Sequence, residues 1–147
     1  MGYDELIDWI NDNKLRVGVY FSVNDLDHLA RGGRLSQASA TIGNALKIKP
    51  MLTINSEGKI EVIAKYQGMR KAMKQLVSRM EEEWDPAFGP YVLICHADDE
   101  ERADCLRSMV EERFPEAVIE TGMVDPIIGM HTGPGMISLC FWAKDRR

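Results

Sequence analysis

The stretch from Met69 to Trp84 constrains the fold most strongly. Met69, Ala72, Met73, Leu76, Val77, Met80 and Trp84 recur at intervals of three and four residues, so a helix over this stretch gathers all seven on one stripe. Such a stripe is stable only when buried against another element, and the neighbouring segments are β-rich. Ile48 to Ile54 and Ile60 to Lys65 precede it, joined through Asn55-Ser56-Glu57-Gly58-Lys59, a polar turn with Gly58 placed for a positive φ; this predicts a hairpin. Tyr91 to His96 follows, a nearly unbroken apolar run that reads as a strand buried on both faces.

The rest of the chain extends the pattern. Tyr3 to Asn11 has helical spacing and Val17 to Val23 is a β-rich run. Asn24, with Asp27 three residues on, predicts an N-cap for a short helix over Asp25 to Ala30, stopped by Gly32-Gly33. Ser36 can cap a second helix through about Leu46, in which Ala38, Ser39, Ala40, Thr41, Gly43 and Ala45 are all small. Asp98 to Glu101 places negative charge at the positive end of a further helix, whose stripe is Ala103, Leu106, Met109, Val110 and Phe114. Ala117 to Thr121 predicts a short strand, Asp125-Pro126 a helix start, and Met136 to Ala143 a closing strand. The expected fold is α/β, with α+β as the alternative: a mixed β-sheet covered by helices, forming one domain over residues 1–147.

Composition removes several function classes. A formal charge of −5 opposes the broad phosphate-neutralising surface that nucleic-acid binding needs. The longest apolar runs are far too short to span a bilayer, and the acidic start Asp4-Glu5 does not resemble a secretory signal; a cytoplasmic protein is expected, with at most transient membrane contact. Cys95, Cys105 and Cys140 lack CxxC spacing and read as free, mostly buried thiols. There is no P-loop, no GxGxxG after a strand, no nucleophile elbow and no metal-ligand cluster, so no catalytic residue, metal or cofactor is expected.

Three segments exceed what a scaffold requires. Gly32-Gly33-Arg34-Leu35-Ser36 brings backbone N–H groups and an arginine to a helix start, a plausible anion site, although a Gly-Gly turn is the more ordinary reading. Gly129-Met130-His131-Thr132-Gly133-Pro134-Gly135 breaks a helix into a glycine-rich loop that presents an imidazole and a hydroxyl, with a purely structural hydrogen bond as the alternative for His131. Lys65-Tyr66-Gln67-Gly68-Met69-Arg70-Lys71-Ala72 puts positive charge at a helix N-terminus, against the dipole, where either a partner or plain solvation would account for it. His96 reads as structural and His28 as a surface or packing residue.

Taken together these segments resemble the DegV family. The run from Phe21 to Ser36, then Gly43, Leu46, Ile48-Lys49-Pro50, the Gly58 turn, Lys65-Tyr66-Gln67-Gly68, Lys71-Ala72, His96-Ala97 and Ile128 to Gly135 occur in that family's order and spacing, over nearly the whole chain. The resemblance implies a bacterial, two-domain fatty-acid-binding protein that holds a long-chain fatty acid between its domains and presents the carboxylate to a kinase subunit, for acyl-phosphate formation in phospholipid metabolism. It assigns this chain to the C-terminal domain; the N-terminal DegV domain is absent from it. It gives ligand-binding roles to Arg34, His131, Thr132, Gly129 and Gly133, and partner contacts to Lys65, Gln67 and Arg70. Gln67 stands where the family commonly carries arginine. An acyl tail is expected along Ile42, Leu46, Met51 and Ile128, beside the small-residue helix. The competing readings are a stand-alone interaction domain and a small-anion-binding module that takes no lipid.

Overall fold

The computed structural model describes residues 1–36 and 48–144. The chain runs α1 (Tyr3–Asn13), a 3-10 turn at Lys14–Arg16, β1 (Val17–Ser22), α2 (Asp27–Arg31), β2 (Ile48–Ile54), β3 (Ile60–Gln67), α3 (Met69–Glu83), β4 (Tyr91–His96), α4 (Glu100–Arg113), β5 (Val118–Met123), α5 (Pro126–Thr132) and β6 (Ile137–Trp142). The helix expected from Ser36 through about Leu46 lies, beyond Ser36 itself, outside the described residues.

The six strands form one mixed sheet in the order β3-β2-β1-β6-β4-β5, antiparallel throughout except for the parallel pair β4 and β5. This is the α/β architecture expected from the sequence. The connection from β4 through α4 to β5 is the crossover that a parallel pair requires. The β2–β3 hairpin closes at Gly58, whose φ of +77° suits a residue without Cβ. Met51 and Leu52 enter different cores by the ordinary alternation of a strand; the register shift falls on β3, where Ile63 is the extra residue and Val62 and Ala64 consequently join opposite cores.

One sheet face carries the main core. Val92 and Ile94 of β4, with Leu139 and Phe141 of β6, meet Met73, Leu76, Val77 and Met80 of α3 and Ala103, Leu106 and Val110 of α4. The stripe of α3 that dominated the sequence is therefore the main helical cover, and Gly68, at φ +84°, turns the chain from β3 into it. On the opposite face a smaller core joins Phe21, Val23 and Leu52 to Leu26, Leu29 and Ala30 of the α2 region and to Met136.

Two sequence expectations are corrected here. Strand β4 is buried on one face only: Tyr91 is 60% exposed and Leu93 41%, while Val92 and Ile94 are buried. A continuous apolar run does not distinguish a strand covered twice from one whose second face is left open. The cap of α2 is also different. Asp25 accepts a hydrogen bond from the Asp27 N–H at 3.0 Å, and the helix begins at Asp27; the Asn24 side chain instead faces Arg102 with its oxygen, at 3.4 Å, and donates its NH2 group to the Pro134 carbonyl 110 residues along the chain.

Helix α1 buries none of its residues; its contact with the sheet is aromatic, through Trp9 with Phe88 and Trp142. No helix among the described residues is long and apolar enough to cross a membrane.

Candidate functional site

Helices α2 and α5 pack against each other at the end of the sheet where β1 and β4 finish and β6 begins. Their contact is reciprocal. His131, in the last turn of α5, lies directly against Gly32, where a Cβ would collide with Nδ1 of its ring. His28 of α2 lies over Gly133, whose added Cβ would come within 2.6 Å of the His28 ring. Gly32 thus supplies space, while Gly133 supplies space and the left-handed turn, φ +76°, that ends α5. The Arg34 motif and the His131 motif, about a hundred residues apart in sequence, meet at one end of the fold.

The chemistry of this end differs from the sequence expectation in three respects. The glycine-rich stretch is not all loop: Asp125 caps α5 by accepting from the Ile127 and Ile128 N–H groups at 2.8 and 3.2 Å, so Gly129, His131 and Thr132 are helical and the turn begins at Gly133. The Gly32-Gly33 turn does not hold its amides out for an anion. The N–H groups of Gly32, Gly33, Arg34 and Leu35 donate to the carbonyls of His28, Ala30, Leu29 and Leu29, closing the C-terminus of α2. What this turn offers a ligand is the exposed Arg34 guanidinium, which holds the Gly32 carbonyl at 2.7 Å with one nitrogen. Thr132 is buried and donates its hydroxyl to the Ile128 carbonyl at 2.9 Å. It therefore locks the helix, with only oxygen lone pairs remaining.

Among the residues expected along an acyl tail, Met51 lies in the main core. Its side chain is fully buried in the core beneath α3, and the alternation of β2 turns Leu52 rather than Met51 toward α2. Ile128 stands on α5 with 45% exposure, and Ile42 and Leu46 lie outside the described residues. Lys65, Gln67 and Arg70 are exposed together at the end of β3 and the start of α3.

The open half of the sheet's α2 face has no signal in the sequence. Leu93, Cys95, Ser138 and Cys140 share this face with Val17 and Trp142. Tyr91, Leu93 and Val118 are exposed, and a depression of about 290 Å³ is lined by Val17, Tyr91, Leu93, Glu120, Cys140 and Trp142, among others. The strand registers place this depression at the far end of the sheet from His131, about five residue rises or roughly 17 Å along β6. The three cysteines are half-buried and outside any disulfide; burial pushes the Cys95 thiol above its ordinary pKa, against a smaller lowering by its hydrogen bond with Ser138. Among the described residues no group of three or more His, Cys, Asp or Glu side chains is arranged to hold a metal ion.

The fold and this two-helix end define a mixed α/β domain with a polar corner beside an apolar sheet face. The chain belongs to the DegV family, described as a family of uncharacterised proteins, whose sequence profile matches residues 2–144. It is 38% identical over 138 residues to a DegV domain-containing protein of Clostridium perfringens, covering 94% of this chain and 47% of the relative, and 33% identical over 135 residues to one of Lactococcus lactis, covering 92% and 46%. The chain thus spans about half the length of these relatives. Among solved structures it is similar to a fatty acid binding DegV family protein from Streptococcus agalactiae (32% identity, TM-score 0.79, 95% of this chain and 49% of that one). It is also similar to DegV, a fatty acid binding protein from Bacillus subtilis (30%, 0.75, 97% and 50%). The fold is shared further with a DegV family protein from Eubacterium eligens loaded with heptadecanoic acid, at TM-score 0.87 and 23% identity.

Proposed function

We propose that this chain is the C-terminal domain of a cytoplasmic fatty-acid-binding protein, and that a second domain of the longer protein completes the site. The observation that carries this reading is the packing of His131 on Gly32, which puts an imidazole and the Arg34 turn at one corner, beside an apolar sheet face open to solvent. A fatty acid has the matching two-part chemistry. Arg34 supplies positive charge and spare N–H donors for the carboxylate, and His131 donates a hydrogen bond in either the neutral or the protonated state. The tail runs from Ile128 and the corner over Cys95, Leu93 and Cys140 toward Tyr91 and Trp142, with each buried methylene contributing about 0.8 kcal/mol. No step in this reading needs a catalytic residue or a cofactor; the fatty acid is a ligand. The exposed group Lys65, Gln67 and Arg70 is the surface for a kinase subunit that phosphorylates the presented carboxylate, with glutamine at position 67 altering that contact. The fatty-acid-binding relatives from Streptococcus agalactiae and Bacillus subtilis, above 25% identity and matched over nearly all of this chain, support the lipid reading.

The test is mass spectrometry of lipid extracted from this chain and from its longer natural form after purification from a bacterial host. A stoichiometric long-chain fatty acid in the longer form, and little in this chain alone, is the expected result. A longer form free of fatty acid and unable to take up a fluorescent one would overturn the reading, in favour of an interaction or small-anion-binding domain.

A further inference from the structure

Strand β4 leads into α4 through the turn His96-Ala97-Asp98-Asp99, and this turn is tied to the His131 corner by a side chain that belongs to neither helix of the corner. Arg102 of α4 sends Nη1 to the Gly135 carbonyl and, at 3.4 Å, to Oδ1 of Asn24, while Nη2 pairs with the Asp99 carboxylate at 2.9 Å. Asn24 in turn donates to the Pro134 carbonyl at 3.0 Å, and its own carbonyl accepts from Lys49 at 2.8 Å. The Gly135 N–H donates to the Ala97 carbonyl at 2.6 Å, and the Ala97 N–H donates to the Met136 carbonyl at 3.0 Å. The Pro134 and Gly135 carbonyls, three and four residues beyond His131, are therefore both held by side chains from elsewhere in the chain. Gly135 has no Cβ and a φ of +78°; an added Cβ would collide with the Asn24 amide and approach Arg102 within 2.9 Å. The turn is thus shaped to admit the clamp.

We propose that Arg102, assisted by Asn24, is a positioning residue for His131, a role that rests on the carboxylate reading above. Asp99 compensates the Arg102 charge, and the Arg102 side chain is only 19% exposed, so the guanidinium acts through the Gly135 carbonyl and not as a free cation for ligand. With Gly133 seated under His28 at one end and Gly135 under Arg102 at the other, the three-residue turn cannot shift without moving the last turn of α5, and with it the imidazole that faces Gly32. The sites of the clamp, positions 24, 102 and 135, are separated by 78 and 33 residues, so the arrangement exists only in the folded chain.

The experiment follows the His131 ring resonances of this chain by NMR, assigned with His131→Gln, in the wild type and in Arg102→Ala, Arg102→Lys and Asn24→Ala. In the longer protein, fluorescent fatty-acid affinity is measured for Arg102→Ala and His131→Ala, singly and combined. Arg102→Ala should shift and broaden the His131 signals, Arg102→Lys should restore much of the wild-type position by keeping a donor for Gly135, and Asn24→Ala should have a smaller effect of the same kind. Arg102→Ala should weaken fatty-acid binding about five- to twentyfold, yet by less than about twofold when His131 is already alanine, since coupled residues are non-additive. Unmoved His131 signals in a folded Arg102→Ala protein, or the same loss of affinity with and without His131, would overturn the proposal. Should Arg102→Ala fail to fold, Asn24→Ala and Arg102→Lys carry the same NMR test. A His131 response to the clamp in a longer protein that takes up no fatty acid would uphold the positioning and defeat the carboxylate reading.

Discussion

The two faces of the sheet carry neighbouring residues of the same strands under opposite conditions. Val92, Ile94, Leu139 and Phe141 are sealed beneath α3 and α4, whereas Tyr91, Leu93 and Val118 on the other face are exposed beside the depression that ends at Trp142. The sealed face is scaffold, its apolar area already used within the chain. The open face keeps its apolar area in water, where burial by a ligand or a second domain would still yield free energy. The polar corner of His131, Arg34 and their glycines adjoins the second face, and its end of the sheet is covered, among the described residues, by the smaller α2 core.

That contrast is breakable, and the largest effect should come from the sealed face. Leu106→Ala removes a fully buried side chain from the core between α4 and the sheet and should cost about 2–5 kcal/mol of stability by urea unfolding. Gly133→Ala attacks the corner instead. It forces a Cβ onto the His28 ring at a positive φ and should cost about 1–3 kcal/mol while displacing the His28 ring signals, which a nuclear magnetic resonance spectrum would report. His131→Ala should leave unfolding nearly unchanged but weaken fatty-acid binding by the longer protein about ten- to a hundredfold, the value of a hydrogen bond to a charged group of about 1.5–3 kcal/mol, and should change little in this chain alone. Equal affinities in a fluorescence titration would return His131 to a helix-packing role. Leu93→Ala, on the open face, should lower stability by less than about 1 kcal/mol, because a 41%-exposed side chain loses little burial; a loss as large as that of Leu106→Ala would erase the distinction between the faces.

The smallest effect concerns Cys95. Burial raises its folded pKa, so the neutral thiol is favoured in the native state; this contribution to stability is fully present below the unfolded thiol's pKa and is lost as the pH rises toward the folded one. Alkylation of Cys95 should accordingly be slower than that of an unfolded control at pH 8 and accelerate only at more alkaline pH, whereas equal rates would show that the open face leaves the thiol in ordinary solvent.

Local patterns were legible where a residue's role depends on near neighbours. The stripe of α3, the Gly58 hairpin and the Asp125-Pro126 start of α5 all follow from spacing and cap chemistry within a turn or two. The same local reasoning predicts Asn24 at a helix cap and Met51 on the acyl path, where the folded chain gives both side chains other, long-range surroundings. The Asn24 side chain reaches the Pro134 carbonyl through its NH2 group and Arg102 through its oxygen, and the orientation of β2 in the sheet decides which face Met51 meets. The apolar run of β4 likewise predicts a strand covered twice, since it records that side chains are greasy and not whether this chain supplies their cover. Sequence by itself determined the elements, their α/β class and the two glycine motifs, because helix and strand periods and positive-φ turns are local properties. Only the tertiary structure decided that Gly32 lies under His131, that Arg102 grips Gly135 and that half of one sheet face stays open, because each depends on the register and packing of segments tens of residues apart.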